Sequence, residues 1–405
     1  MTHFIDDFWL KNAHLYENAL VCRFPPEPNG YLHLGHAKAA VVGFDMVEKH
    51  GGTFILRFDD TNPRAEKTYF EEAIKDDLAW LGVAFHKTVH ASDHFENLRD
   101  FARDLLKKDL AYVDETNKDT LAKNRGSFYE PGKESADRFL PSSTHVNRFE
   151  KMLAGGYREG EAVLRAKIDM ASPNMNLRDP VLWRVMGEKH PRLPGWEAFP
   201  TYDFAHPFCD LLDGVTLSLC SLEFEDHKPL YNWIAKNAIE LKYGNTTIAP
   251  TELEFARLTP DRGMTSKRVL KKAVEEGLVT GWSDPRLLTL RGLRRKGYTP
   301  DHIKNFVRRA GVSRANSVVP LDWLDEEVRG ATCPAHLIVM DPVRLILDES
   351  PNILTLPDKT TKVFSGNEWL VSRDDIRDEA SVDFFRLAPK NTVRVMGLSG
   401  FATVH

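Results

Sequence analysis

Cysteine is scarce: four in 405 residues (Cys22, Cys209, Cys220 and Cys333), with no C-x-x-C pair among them. That spacing argues against a zinc site and a disulfide framework, and it fits a reducing cytosol. The plain reading is four small buried or half-buried side chains. No run of about 18 apolar residues exists, so no membrane span is expected. The first twenty residues carry early acids and no continuous apolar stretch, so no signal peptide is read there. Repeats and low-complexity tracts are missing too. The hydrophobic fraction, 42%, is a little under the usual ~45–50%, but aromatics at 10% supply material for a core. A chain of 405 residues has room for two or three domains of roughly 100–200 residues. A soluble, cytoplasmic globular enzyme is what these exclusions leave.

Net charge is −5, which does not point to nucleic acid. The distribution does: thirteen Lys/Arg against four acids lie between Met264 and Arg314. Such a segment can neutralise phosphates while the rest of the chain stays acidic. A solvated helical face explains it equally well.

Ala19–Phe24 reads as a short buried strand, and the prolines and Asn-Gly of PPEPNG make a loop after it. Leu34, Ala37, Val41, Phe44 and Val47 recur at helical steps, predicting a helix from about His33 to Lys49 that Gly51-Gly52 ends. Thr53–Phe58 is a second buried strand, followed by Asp59-Asp60-Thr61-Asn62-Pro63 and a helix from about Lys67 to Leu81. Strand–loop–helix–strand–helix opens a parallel α/β sheet, whose ligands bind beyond the carboxyl ends of the strands. An insertion is expected over 101–199. The sheet resumes at Phe199–Phe204, with strands at Gly214–Leu219 and Thr251–Leu258 and a helix at Phe224–Ile239. Three helices follow between Asp284 and Arg329, then β-rich segments (HLIVM, VRLIL, NILTL, TVRVM).

Two strings carry chemistry. In His33-Leu34-Gly35-His36, two histidines three apart at a helix start face one way. Gly35 lets a nucleotide approach the backbone, and free N–H groups there suit phosphate. In Met264-Thr265-Ser266-Lys267-Arg268, a hydroxyl and two cations can clamp a triphosphate, whose transfer is catalysed by positioning and electrostatics. Each string alone is also compatible with surface residues.

Together they resemble the HIGH and KMSKS motifs of class I aminoacyl-tRNA synthetases. Arg23–Lys38 is similar to the signature of the glutaminyl and eukaryote-type glutamyl members. Further matches are LRFDDTNP (56–63), LRAKIDMASP (164–173), DPVL (179–182), SLCSLEF (218–224), DPR (284–286) and LRRKGY (293–298). They cover most of the chain to about residue 395.

The resemblance implies an α/β fold: a Rossmann-like parallel-sheet catalytic domain (1–100 and 200–268), an acceptor-stem-binding insertion (101–199), a helical subdomain (269–332) and a partial C-terminal β-barrel (333–405). It implies ATP with Mg2+ as substrate nucleotide, no dedicated metal cage, and a monomer acting on tRNA without a membrane. The reaction implied is ATP + L-glutamine + tRNA(Gln) = AMP + diphosphate + L-glutaminyl-tRNA(Gln), through a glutaminyl-adenylate and attack by the terminal 2′-hydroxyl. By the same resemblance His33, His36 and Lys267 are catalytic. Glu27, Pro28, Asn29, His33, Leu34, Gly35, His36, Ala37, Lys38 and Ala39 surround ATP. Ser221, Arg257 and Leu258 touch adenine or ribose, and Thr265, Ser266 and Lys267 hold phosphates. Asp59 binds the α-ammonium of glutamine, Arg23 lies beside it, and Tyr202 contacts the amide with His206 close by. Asp226 reads the acceptor stem, and Arg286, Arg294 and Arg295 are phosphate contacts.

His206 and Ser218-Leu219-Cys220 look glutaminyl, because glutamyl relatives tend to have cysteine at the position of His206. A pocket built for an amide can reject the wrong ligand by roughly 10⁴-fold. Glutamyl activity and a non-catalytic tRNA-binding paralogue are the other readings. Two departures stand out: Thr265 where methionine is usual, and Leu217 where histidine is frequent. The chain matches only the opening of the first of the family's two barrels (Pro334–Leu345 and Lys362–Arg386). Anticodon reading is therefore not expected of it, and exposed strand edges are.

Overall fold

The computed structural model describes residues 3–263, 266–330, 339–346, 354–355, 361–362, 368–394 and 401–403. The chain divides into two units, Met1–Glu327 and Val328–His405.

The first unit opens with α1 (Phe4–Asn12), β1 (Val21–Phe24), α2 (Leu34–His50), β2 (Thr53–Phe58), α3 (Thr68–Leu81) and β3 (Lys87–His90). α4 (Phe95–Lys107) leads to β4 (Ala111–Asp114), α5 (Lys118–Asn124), α6 (Ser142–Leu153), β5 (Val163–Ala166), β6 (Val181–Val185) and β7 (Ala198–Pro200). Then come α7 (Tyr202–Leu212), β8 (Leu217–Ser221), α8 (Lys228–Glu240) and β9 (Thr251–Phe255). After β10 (Thr259–Pro260) follow α9 (Lys267–Glu275), α10 (Leu290–Lys296), α11 (Pro300–Ala310), β11 (Val318–Val319) and α12 (Asp322–Gly330).

β1, β2 and β3 pair in parallel, as do β8 and β9. β1 and β8 run side by side, with the backbone hydrogen bond between them at their start. There Thr216 donates its N–H to the Val21 carbonyl at 3.0 Å, and Val21 donates to the Thr216 hydroxyl at 2.9 Å. Strand order is thus 3-2-1-8-9, reversing between β1 and β8. A reversal of this kind leaves a crevice at the carboxyl ends, where α/β sheets bind ligands.

α2 forms because its apolar stripe has somewhere to go. Leu34, Ala37, Val41 and Val47 are all buried, each large aliphatic contributing about 1.5–3 kcal/mol. His33 is its N-cap rather than its first residue. The turn into β2 requires glycine at position 52: φ is +153°, and a Cβ there would sit 2.3 Å from the Leu20 carbonyl oxygen.

β4 to β7 form a four-stranded antiparallel sheet. Two of the sequence strings serve it. Asp179 accepts from the Ile168 N–H (2.7 Å), Arg138 (2.8 Å) and the Tyr112 hydroxyl (3.1 Å). Arg165 spans from the Asp179 carbonyl (2.7 Å) to Asp114 (2.8 Å). The expectation that the parallel sheet resumes at Phe199–Phe204 is corrected: β7 is an edge of this antiparallel sheet, and Tyr202 already begins α7. Buried residues of α4, of this sheet and of α7 and α8 share one core. The Phe101 ring stacks on Phe204 and Phe208 at 5.5 and 5.0 Å.

In the second unit the described strands pair two by two and antiparallel: Pro342–Ile346 with Glu368–Ser372, Leu354–Thr355 with Thr361–Lys362, Thr392–Arg394 with Phe401–Thr403. No closed barrel is seen among the described residues. HLIVM and Cys333 fall mostly or wholly outside them.

Phe101→Ala should lower the unfolding free energy by about 3–5 kcal/mol in urea titration. One common transition is expected; two separate ones would show that the insertion and α7 do not share a core.

Candidate functional site

At the β1–β8 split the strands are held apart by side chains. Arg23, on β1, donates to the Leu219 carbonyl of β8 at 2.8 Å, to the Ser218 hydroxyl at 2.7 Å and to Asp210 of α7 at 3.1 Å. Its guanidinium also contacts the His206 ring. Arg57, on β2, reaches the same Asp210 at 2.7 Å, with Asp213 at 3.3 Å and Asp59 at 3.4 Å. Tyr231 of α8 donates to Asp210 at 2.9 Å. All of these residues are buried except Asp213, which is half-buried. Burial alone would raise the Asp210 carboxyl, but Arg23 and Arg57 hold it well below the usual carboxylate range.

α7 carries the next layer. Tyr202 and His206 lie one turn apart, with the hydroxyl 2.6 Å from His206 Nδ1. Nε2 of His206 faces Asp210 at 3.1 Å. Burial lowers His206 to about 4, so it is neutral at pH 7. Burial, and then the nearby Asp59 charge, keep the Tyr202 hydroxyl protonated. Asp59 closes the group at the end of β2. It is 2% exposed, and its Oδ2 has no hydrogen-bond partner. Burial raises its carboxyl to about 7, more than Arg57 and Arg23 offset. The four residues Arg23, Asp59, Tyr202 and His206 are thus brought together, with one acceptor unused.

Beside them opens a cleft of about 710 Å³. On one side lie Glu27, His33, Gly35, His36, Lys38 and Ala39; on the other, Ser221, Arg257, Leu258 and Ser266. The His33 and His36 rings lie 3.7 Å apart, and Nδ1 of His36 accepts from the His33 N–H at 3.1 Å. A Cβ on Gly35 would come within 3.0 Å of the His33 ring.

The free N–H groups expected at this helix start are already spent. Leu34 donates to the Leu288 carbonyl (3.0 Å), Gly35 to His33 Nδ1 (3.1 Å) and His36 to the His33 carbonyl (2.8 Å). Leu34 and Ala37 point into the core. Lys38, lowered to about 8 by burial, donates to the Ala256 carbonyl at 2.7 Å. The helix start therefore shapes the cleft wall instead of presenting a bare dipole end. Pro28 accepts the Lys67 N–H at 3.0 Å, and Asn29 donates to the Glu27 carbonyl at 2.9 Å, so both act as loop braces. Thr265 and the Lys267 side chain lie outside the described residues; Lys267 begins α9 and Ser266 is its N-cap.

The basic segment is largely occupied at home. Arg291 pairs with Asp77, Arg308 with Asp45, Arg309 with Glu326 and Arg314 with Glu225. Arg286 is turned onto Asp284 at 2.8 Å. Arg294 lies over the Trp80 ring and Arg295 is exposed. Asp226 is exposed on the turn before α8, its carbonyl held by Asn174 at 2.7 Å.

Sequence reading missed Asp210, Arg57 and Glu223. Asp210 was visible as an acid one turn beyond His206, flanked by apolar residues in PFCDLL. Glu223 bridges Ser221 (3.0 Å) and Arg257 (3.1 Å) at the cleft rim, a pairing no local pattern encodes.

A family model described as "tRNA synthetases class I (E and Q), catalytic domain" matches residues 19–323. The glutamine–tRNA ligase of Clostridium kluyveri is 42% identical over 391 residues, 93% of this chain and 69% of that protein. That of Hamiltonella defensa is 41% identical over 408 residues, 97% of this chain and 72% of its own. Among solved structures, a glutamate tRNA ligase from Elizabethkingia meningosepticum in complex with its amino acid superposes with a TM-score of 0.54. It covers 76% of this chain and 68% of that one at 19% identity, a likeness of fold.

Asp59 keeps its proton in the fold at pH values where the unfolded chain has lost it. Its stabilising contribution is full below 3.8 and is lost as pH rises through about 7. Asp59→Asn should therefore exceed the parent in unfolding free energy by about 1–4 kcal/mol at pH 8. The gap should close as pH falls from 7 to 4. Urea melts across that range check it; a gap independent of pH would mean Asp59 is not the strained carboxyl.

Proposed function

The chain belongs to the class I tRNA synthetases for glutamate and glutamine, and from that premise we infer how it attaches glutamine to tRNA at the expense of ATP. The observation that carries the choice of amino acid is the Tyr202–His206–Asp210 line. Nε2 of the neutral His206 lies between the ionised Asp210 and the Arg23 guanidinium, and we take the tautomer whose Nε2 proton faces Asp210. Nδ1 is then an acceptor, and the Tyr202 hydroxyl donates to it at 2.6 Å. The hydroxyl is left offering lone pairs to its other side. An amide N–H can use them; a carboxylate cannot.

The unused oxygen of Asp59 is the partner for an α-ammonium. Binding the cation offsets the burial that now keeps Asp59 near neutrality. Arg23 lies beside the amino acid, held in place by Asp210, Ser218 and Leu219. The amino-acid carboxylate then attacks the α-phosphate of an ATP lying in the cleft. A phosphorus–oxygen bond forms to the carboxylate as the bond to pyrophosphate breaks. The 2′-hydroxyl of the terminal adenosine next attacks the carbonyl carbon and releases AMP.

His33 and His36 line the phosphate side, with Ser266 and, by resemblance, Thr265 and Lys267 across from them. The Lys267 ammonium, with the hydroxyl and imidazole groups around it, meets the charge that develops on the leaving pyrophosphate. Ser221, Arg257 and Leu258 form the base and ribose side. Magnesium comes with the nucleotide. Asp226 and Arg295 are the RNA contacts best supported by exposure; Arg286 must first release Asp284. A cytoplasmic monomer is the proposed working form, because its tRNA and ATP are there. No described helix is long and apolar enough to cross a membrane.

Charging total tRNA with labelled glutamine and glutamate in parallel tests the reading. Glutamine should dominate; equal or greater use of glutamate would overturn it. Tyr202→Phe should cut kcat/KM for glutamine about 10- to 100-fold by removing the amide's acceptor. Lys267→Ala should slow adenylate formation at least ~100-fold with tRNA affinity nearly unchanged. Equal loss of both would reassign Lys267 to RNA binding.

A further inference from the structure

Two buried acids stand side by side at the end of β2, and the reaction above uses only the first. Asp59 keeps one oxygen without a partner, whereas Asp60 has every oxygen engaged. Oδ1 of Asp60 accepts the Ser92 N–H at 2.9 Å, and Oδ2 accepts the Ser92 hydroxyl at 2.6 Å. The Asp60 carbonyl lies 2.8 Å from Nε2 of His190, a residue of the loop between β6 and β7 that is 1% exposed. Nδ1 of the same ring accepts the Arg192 N–H at 3.1 Å. A backbone N–H can only donate and a carbonyl can only accept, so the ring carries its proton on Nε2 and aims it at Asp60. The imidazole is seated between the Phe95 and Phe199 rings, each at 5.8 Å. Arg192 completes the clasp, donating to the Ser92 hydroxyl oxygen at 2.6 Å and to Asp93 at 2.7 Å.

We propose that His190 is a positioning residue: by holding the Asp60 carbonyl it fixes the turn from which Asp59 presents its unused oxygen to the α-ammonium of the amino acid. The inference rests on the reading of Asp59 as the ammonium partner. Asp59 is tied on one side through its own N–H, which donates to the Pro26 carbonyl at 3.2 Å. On the other side it is joined by a planar peptide to Asp60, whose carboxylate and carbonyl are both pinned. The pinning has a purpose. A buried carboxylate lacking a partner gains by turning toward water, and a turn free to yield would let Asp59 do so before the ammonium arrives. With the Asp60 carbonyl held, that escape requires breaking a buried hydrogen bond as well.

The assay is tRNA-dependent pyrophosphate exchange at pH 8, above the value of about 7 to which burial raises Asp59. His190→Phe keeps a ring between Phe95 and Phe199 and removes the donor to Asp60. KM for glutamine should rise about tenfold, the scale set by one buried carbonyl left without its donor. kcat and KM for ATP should stay within about twofold. His190→Gln, which offers an N–H from the same position, should recover most of the parent KM. Ser92→Ala opens the other side of the clasp without touching the ring and should raise KM for glutamine in the same direction. Inhibition by glutaramate, which is glutamine without its α-ammonium, should be equal in parent and variants. An unchanged KM for glutamine in both His190→Phe and Ser92→Ala, or glutaramate weakened as much as glutamine, would overturn the proposal and leave His190 as core packing. Asp59→Asn binding glutamine as well as the parent would instead sink the reading of Asp59 on which this one rests.

Discussion

Everything at the centre of this molecule is arranged around one carboxylate. Asp210 is 0% exposed and sits between two buried guanidiniums, Arg23 from β1 and Arg57 from β2. Removing such charges from water costs several kcal/mol each unless every partner is in place. The partners come from four elements: β1, β2, α7 and α8. None can shift without uncovering a charge. The arrangement also explains why β1 and β8 do not zip together. Past Val21 and Thr216, the Arg23 side chain takes the role of the missing ladder bonds by donating to Leu219. The crevice is a consequence of satisfying a buried arginine.

From that anchor the chemistry is passed outward one hydrogen bond at a time. Asp210 faces His206, His206 faces Tyr202, and Tyr202 lines the cleft. Asp59 hangs on the same network through Arg57, which leaves it half-compensated and one oxygen unused. Rigidity here has a use, because a pocket discriminates by unpaired groups only if those groups cannot turn away to find other partners.

Much of this was readable in the chain, for identifiable reasons. The helical period of Leu34, Ala37, Val41 and Val47, and the Gly51-Gly52 stop, gave α2 to within a residue, because local pattern and burial agree there. The order of the matched strings led to the α/β fold and its parallel sheet. What stayed hidden depends on long-range partners. Arg57 and Asp210 meet across 153 positions. The cations after Met264 are quenched by acids such as Asp45 and Asp77, more than 200 residues away. FPTYDF was misread because a three-residue edge strand and the first turn of a helix share too short a window for either period to show. The helix start was misjudged for another reason: its N–H groups look vacant in a linear string, yet His33 and Leu288 fill them.

The same stitch has a bearing on modularity. Leu34 donates to Leu288, Leu290 donates to Leu32, and His33 bridges Thr289 between them. Two stretches some 255 positions apart are thereby sewn together on both flanks of the histidine pair. The helical segment is not an appendage that could be traded between relatives at will. Any exchange made downstream of the sheet would have to carry a matching seam, or the turn holding both histidines would lose its shape.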